Sequence, residues 1–363
     1  MIGLPITIHK ARNHKLLSYD AYNKANNFDF LRFLFAFIVF LVHAYVLSGA
    51  NQFSIFANFL SSEVAVKSFF VVSGFLIFRS FENSSSIKSY FLKRLCRIYP
   101  AYIFIVLLCA FLGCFFSVQS YGEYFSLPVL KYVAANLLFL NFLQPNLPGL
   151  FENNTIHAVN GALWTLKIEM LFYLFVPFAA IAFRQFGRFK MLTFFYITSI
   201  LYTVIMVALA NQSGLNLYLE LQRQLPSQIA FFIAGAAGYY YFQYLVIYGK
   251  WLALLALVTF ALKAWLPWVA IEPIALAIIV VYLACVAPSA GNFGKYGDFS
   301  YGIYIIHFPI LQLLISMGLF IDSPWLMLVI ACLLIVMIAF LFWHLIEKPF
   351  LRKSSHYLVA GRG

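Results

Sequence analysis

The chain has 363 residues, of which 64% are hydrophobic and only 10% charged, with a formal charge of +12. So much apolar surface excludes a soluble enzyme built around one aqueous-facing core. The basic residues sit in separate short breaks between apolar runs, which excludes a continuous nucleic-acid-binding patch and fits orientation in, and contact with, anionic membrane lipid.

Apolar runs follow one another from about residue 30 to residue 346, which predicts an all-α polytopic bundle. A β-barrel would alternate in character along each strand. The first 29 residues are polar and basic and are predicted to be cytoplasmic. Ser48-Gly49-Ala50 imitates a leader-cleavage site, but the polar lead is too extended and the apolar run too long, so 30–48 is predicted to be a retained first span.

That first span carries Arg32 and His43, eleven residues apart. Eleven helical residues fall about 20° short of a whole number of turns and rise about 16 Å, so the two side chains share one face half a bilayer apart. The second span (64–80) contains Ser73-Gly74, read as a close-packing pair in preference to a nucleophile. A basic segment with Arg94 and Arg97 precedes the third span, 101–118. The stretch 119–162 is predicted to be an outer loop with a lateral or re-entrant helix near 129–143. The fourth span, 163–183, opens with Trp164 and Glu169. Further spans are predicted at 191–210, 226–247, 251–265, 270–287, 299–320 and 325–346, followed by a basic tail at 348–363.

Whether 129–143 crosses decides the topology. If it does not, about ten spans place both termini on one side, together with nineteen of the twenty-four lysines and arginines. If it does, that asymmetry is lost. The positive-inside rule therefore predicts a cytoplasmic N-terminus and a multi-pass protein of the cell membrane. In this frame His43 and Glu169 lie in the outer half of the bilayer, His307 near its middle or somewhat inward, and Arg32, Arg94 and Arg97 at the cytoplasmic surface. Ionisable groups at such depths normally face a polar cavity or a partner.

Five cysteines lie scattered through apolar runs without zinc spacing and are read as structural thiols. The sequence has no HExxH, Walker A or dinucleotide fingerprint, so no metal, ATP or NAD site is indicated.

In order along the chain stand R-x10-H (Arg32, His43), SFFVVSGFLIF (68–78), KRLCRIYPAY (93–102), LWTLKIEMLFYL (163–174), FSYGIYIIHFPI (299–310) and EKPF (347–350). Together they resemble the acyltransferase-3 family of integral membrane acyltransferases, over about residues 26 to 350. The resemblance implies a ten-helix bacterial inner-membrane enzyme. Such an enzyme takes an acyl group, usually acetyl, from cytoplasmic coenzyme A and delivers it to a hydroxyl of a surface or lipid-linked glycan. It places the family's histidine on His43, its arginines on Arg32, Arg94 and Arg97, and its acidic residue on Glu169. Thr165 stands where some relatives have Ser. Many relatives carry an additional SGNH-type domain after the last spans, whereas this sequence ends at Gly363. The membrane domain is therefore expected to act alone, as a homodimer, or with a separate polysaccharide-assembly partner.

The residues suit that chemistry. Guanidinium groups donate in pairs to phosphate, so acyl-CoA, as co-substrate rather than bound cofactor, is expected to anchor at Arg32, Arg94 and Arg97 with its thioester near His43. His43 is the candidate general base or transient acyl carrier, and Glu169 its candidate partner. His307, Trp164, Tyr301 and Tyr304 are candidate oxyanion donors. EKPF is read as structural, with Glu347 paired to an arginine of the 93–102 segment. A rival reading uses His43, Glu169 and His307 for proton coupling in a transporter or flippase of a lipid-linked glycan.

Overall fold

The computed structural model describes residues 26–291 and 293–351, and the greater part of the predicted cytoplasmic N-terminal segment and of the basic tail lies outside the described residues. Every regular element among the described residues is helical. The principal helices are α1 (Phe28–Ser48), α2 (Ser62–Glu82), α3 (Ile87–Leu112), α4 (Leu127–Leu137), α5 (Trp164–Phe186), α6 (Arg188–Ser213), α7 (Leu225–Tyr240), α8 (Phe242–Ala261), α9 (Trp268–Cys285), α10 (Ser300–Ser316) and α11 (Pro324–Phe342).

Among the described residues, eight helices are long and apolar enough to cross a membrane: α1, α2, α3, α5, α6, α8, α9 and α11, the last with its C-terminal extension to Phe350. Large apolar side chains such as Phe194, Leu201, Ile247, Leu254 and Leu333 are exposed on α6, α8 and α11, as a lipid-facing surface requires and an aqueous one would not tolerate. The chain is a polytopic helical membrane bundle. The other two expected spans are α7, with 16 residues, and α10, with 17, roughly 24 and 26 Å long.

Three boundaries differ from the sequence reading. Helix α3 begins at Ile87 rather than near residue 101, so Arg94 and Arg97 stand on a helix and not in a loop. Its first half is amphipathic, burying Tyr90 and Ile98, and a search for uniformly apolar runs misses that pattern. The break expected at 248–250 lies instead at Tyr241, and Lys250 is inside α8. Gly249 there serves close packing: a Cβ would lie 2.8 Å from the ring of Tyr282 on α9. Around 129–143 the helix is α4, eleven residues long, and irregular chain with short turns runs on to residue 160.

The chain forms two compact units. Among the described residues, one comprises 26–31, Lys67–Ile87, 171–291 and Phe293. Its core joins α2 and α7 at two reciprocal glycines. A Cβ on Gly74 would lie 1.9 Å from the carbonyl oxygen of Phe232, and one on Gly235 would lie 2.0 Å from that of Val71. Lys67 on α2 holds both carboxylate oxygens of Glu272 on α9 at 2.9 Å.

The other unit comprises Arg32–Val66, Lys88–Met170 and residues 294–351. Helix α10 is its core: Ser300 through Phe308 are all buried. The irregular stretch before α5 is tied to it by amides. Asn154 donates to the backbone and side-chain oxygens of Gln312 at 3.0 and 2.9 Å, Gln312 donates to the carbonyls of Ile156 and Ala158, and Asn160 donates to that of Ile305 at 2.8 Å. Backbone without its own ladder is thereby satisfied by protein groups.

Candidate active site

Within this second unit, two rungs join α1 to the α10 segment. Arg32 pairs with Asp298, and His43 Nδ1 lies 2.8 Å from His307 Nε2. The partners are 266 and 264 residues apart in sequence. Near-equal offsets mean that the two segments run parallel, so one polar face on each meets the other at two levels about 16 Å apart.

The lower rung is a buried charge cluster. Asp298, 2% exposed, accepts from both Arg32 and Arg97 and also from the backbone N–H and hydroxyl of Ser300. Burial alone would push its carboxyl up, but the two guanidinium groups and the Ser300 bonds outweigh that and hold it well below the usual carboxylate range. Arg97 also donates to Glu347 at 3.1 Å and lies over the rings of Trp343 and Tyr301. Glu347 thus pairs as the sequence reading expected, though with a helical arginine. Gly297 makes the approach feasible: at φ 125° it lies where a Cβ would be 2.1 Å from Trp343 Nε1. Arg94, three residues before Arg97, shares its face of α3.

For a pair of neutral imidazoles, the contacts of the upper rung fix which nitrogen of each carries the hydrogen. His307 Nδ1 faces the carbonyl of Ile303 at 3.1 Å, and a carbonyl only accepts, so that nitrogen carries the hydrogen. His307 Nε2 is then an acceptor, and His43 Nδ1 must donate to it. The lone pair of His43 is left on Nε2, which has no hydrogen-bond partner among the described residues. His307 is completely buried, whereas His43 is half-buried. Phe308 meets the His43 ring edge to face at 5.4 Å and is itself held against Gly161.

The remaining expected residues divide. Sequence reading set Glu169 beside His43 and placed His307 deeper; instead His307 occupies that position, level with His43, and His43 makes no hydrogen bond to Glu169. Glu169 is within electrostatic reach of Tyr301 and Tyr304. The Tyr301 hydroxyl donates to the carbonyl of Ile98 at 3.0 Å. Thr165 donates to Ala162 O at 3.2 Å, so the 2.8 Å contact between Thr165 and Tyr304 uses the tyrosine's proton. Both phenols are therefore committed. Trp164, half-buried at the start of α5, donates to no acceptor among the described residues. Ser73 belongs to the other unit, beside Gly74.

Sequence reasoning missed Asp298. Its signal was an acidic residue two positions before an apolar helix whose Ser300 it caps, in a chain with only twelve acidic residues.

Comparison with known proteins decides the family. The profile described as an acyltransferase domain matches residues 26–344. The chain belongs to the acyltransferase-3 family. A protein named O-acetyl transferase from Shigella phage Sf6 is 27% identical over 345 residues, covering 92% of this chain and 98% of that one. Nodulation protein 10 of Rhizobium leguminosarum bv. viciae is 26% identical over 364 residues, covering 93% and 96%. No solved structure matches. The chain is thus a membrane acyltransferase. An acyltransferase that activates a hydroxyl needs a proton acceptor, and among the described residues His43 Nε2 has no hydrogen-bond partner.

Proposed function

We propose that the protein is a membrane O-acetyltransferase that moves acetyl from cytoplasmic acetyl-CoA to a hydroxyl of an extracytoplasmic or lipid-linked glycan. The carrying observation is the Ile303–His307–His43 chain, which leaves the lone pair on His43 Nε2. The similarity to a protein named O-acetyl transferase supports acetyl as the group and oxygen as its destination.

In this reading the acceptor hydroxyl gives its proton to His43 Nε2 as its oxygen attacks the thioester carbonyl. The carbon–sulfur bond then breaks, and the departing thiolate takes the proton back, giving an ester and free coenzyme A. While His43 is charged, its Nδ1–H bond to His307 becomes charge-assisted and stabilises the imidazolium. His307 is thus a positioning residue, in the role that the sequence alone suggests for Glu169. The indole N–H of Trp164 is the best of the expected oxyanion donors, because the other three are committed. A route through acylated His43 would use the same Nε2.

The cytoplasmic end is assigned to Arg32, Arg94 and Arg97, with Asp298 and Glu347 holding two of these guanidinium groups in place for the donor's phosphates. The charge asymmetry supports that orientation, with the segment 119–162 outside. The cell membrane of a bacterium is the proposed location. The test is acetyl incorporation from labelled acetyl-CoA into surface glycan by membranes containing the protein, compared with His43→Ala. Equal incorporation by both would refute the assignment of the base.

A further inference from the structure

The two helices that carry the imidazoles end together. Just beyond Ser48 on α1 and Ser316 on α10 lies a recess of about 310 Å³, lined by ten residues that include Ser48, Asn51, Gln52, Ile315, Phe320 and Pro324. It sits at the opposite end of the α1/α10 seam from the Arg32–Asp298 rung. His43 is five residues before Ser48, about 7.5 Å along the helix axis.

Three properties of the lining restrict what it can hold. No lining residue carries a charge, so an anionic or cationic group would find no counter-charge there. The carboxamides of Asn51 and Gln52 are exposed and make no hydrogen bond to any described residue, leaving donors and acceptors side by side. Ser48 is already spent: its hydroxyl donates to Ala44 O at 2.5 Å and accepts from the Ala50 N–H at 3.2 Å. The same lining includes the apolar side chains of Ile315, Phe320 and Pro324, with Phe320 packed edge to face on Phe53.

A recess lined by both adjacent amides and apolar side chains suits a ring with hydroxyls at its edge and C–H groups on its face. We infer that this recess is an acceptor subsite that holds an uncharged sugar residue, neighbouring the one whose hydroxyl meets His43. The inference rests on the acetyl-transfer reading and narrows it, since an acceptor bearing a carboxylate or phosphate at this residue is disfavoured.

The full chain in detergent is titrated with methyl α-D-glucopyranoside, methyl α-L-rhamnopyranoside and D-glucuronate, and contact is read by saturation-transfer NMR against empty micelles. The neutral sugars should show transfer and glucuronate little. Losing both amides in Asn51→Ala/Gln52→Ala should reduce the neutral-sugar signal about tenfold, while His43→Gln should keep it. Gln52→Lys, an exposed change, should raise the glucuronate signal above wild type even if the double variant does not fold. No transfer from the neutral sugars, equal transfer from glucuronate, or a signal indifferent to these changes would overturn the subsite. Intact sugar signals with no acetyl transfer from acetyl-CoA would count against the acetyl-transfer reading alone.

Discussion

His43 and His307 face each other nitrogen to nitrogen at 2.8 Å, and the far nitrogen of His307 is tied to the carbonyl of Ile303. A histidine aligned by a second histidine keeps the first neutral and correctly tautomeric without a buried carboxylate. The partner's essential contribution is then an acceptor lone pair, and glutamine's side-chain oxygen can imitate it. His43→Ala is expected to lower kcat by about 10²–10⁴. His307→Gln should lose far less than His307→Leu, with the Michaelis constant for acetyl-CoA unchanged in both. Equal losses in the two variants would mean that the ring of His307 itself does chemistry.

Asp298 pairs with Arg32 and Arg97 at once, with its side chain 1% exposed. Asp298→Asn leaves two guanidinium groups without their common carboxylate, and breaking a buried pair costs about 3–5 kcal/mol. A marked fall in the thermal midpoint of the detergent-solubilised protein is therefore expected. The pH dependence follows from the lowered pKa. A carboxyl held below its unfolded value contributes stability that is complete above that value and lost as pH falls through the folded one. Wild type should keep the Asp298 contribution between pH 7 and pH 5, and the difference from Asp298→Asn should stay constant across that window. A gap that closes by pH 5 would show that the carboxyl is not held low.

How much of this was legible in the sequence depended on the range of the interaction. Hydrophobic runs reported the membrane class, and the eleven-residue spacing put Arg32 and His43 on one face, because both are local properties of a helix. The choice of partners was not local. His307 and Glu169 each lie more than a hundred residues from His43, and only the parallel packing of α1 with α10 selects between them. Arg94 and Arg97 looked like loop residues because an amphipathic helix at a membrane boundary resembles a basic loop when only mean hydropathy is weighed. Residues 248–250 looked like a break for a related reason: composition does not distinguish a glycine that turns the chain from one, like Gly249, that admits a neighbouring ring.

Ser73-Gly74 offers a nucleophile and a packing contact at adjacent positions, and the two can be separated. A Cβ on Gly74 would fall 1.9 Å from the carbonyl oxygen of Phe232, which is backbone and cannot swing aside. Gly74→Ala should therefore destabilise the protein by at least about 1–3 kcal/mol, seen as a lower thermal midpoint and reduced membrane yield. Ser73→Ala should keep acyl transfer within about twofold of wild type, consistent with the small effects usual away from special contacts. Loss of activity in a well-folded Ser73→Ala protein would restore the serine as a reacting group.

The orientation follows from charge and is open to direct chemical test. Lys190 lies in the first turn of α6 and Glu123 in the segment between α3 and α4, and both are exposed. With most of the lysines and arginines expected on the N-terminal side, even once Lys250 is moved into α8, the positive-inside rule predicts Lys190 in the cytoplasm and Glu123 outside. In a background without the five native cysteines, Glu123→Cys should react with a membrane-impermeant maleimide on intact cells, and Lys190→Cys only after the membrane is opened. Labelling of Lys190→Cys from outside would mean that the chain between the two positions crosses an even number of times, which would overturn the assignment of 119–162 to a single outer face.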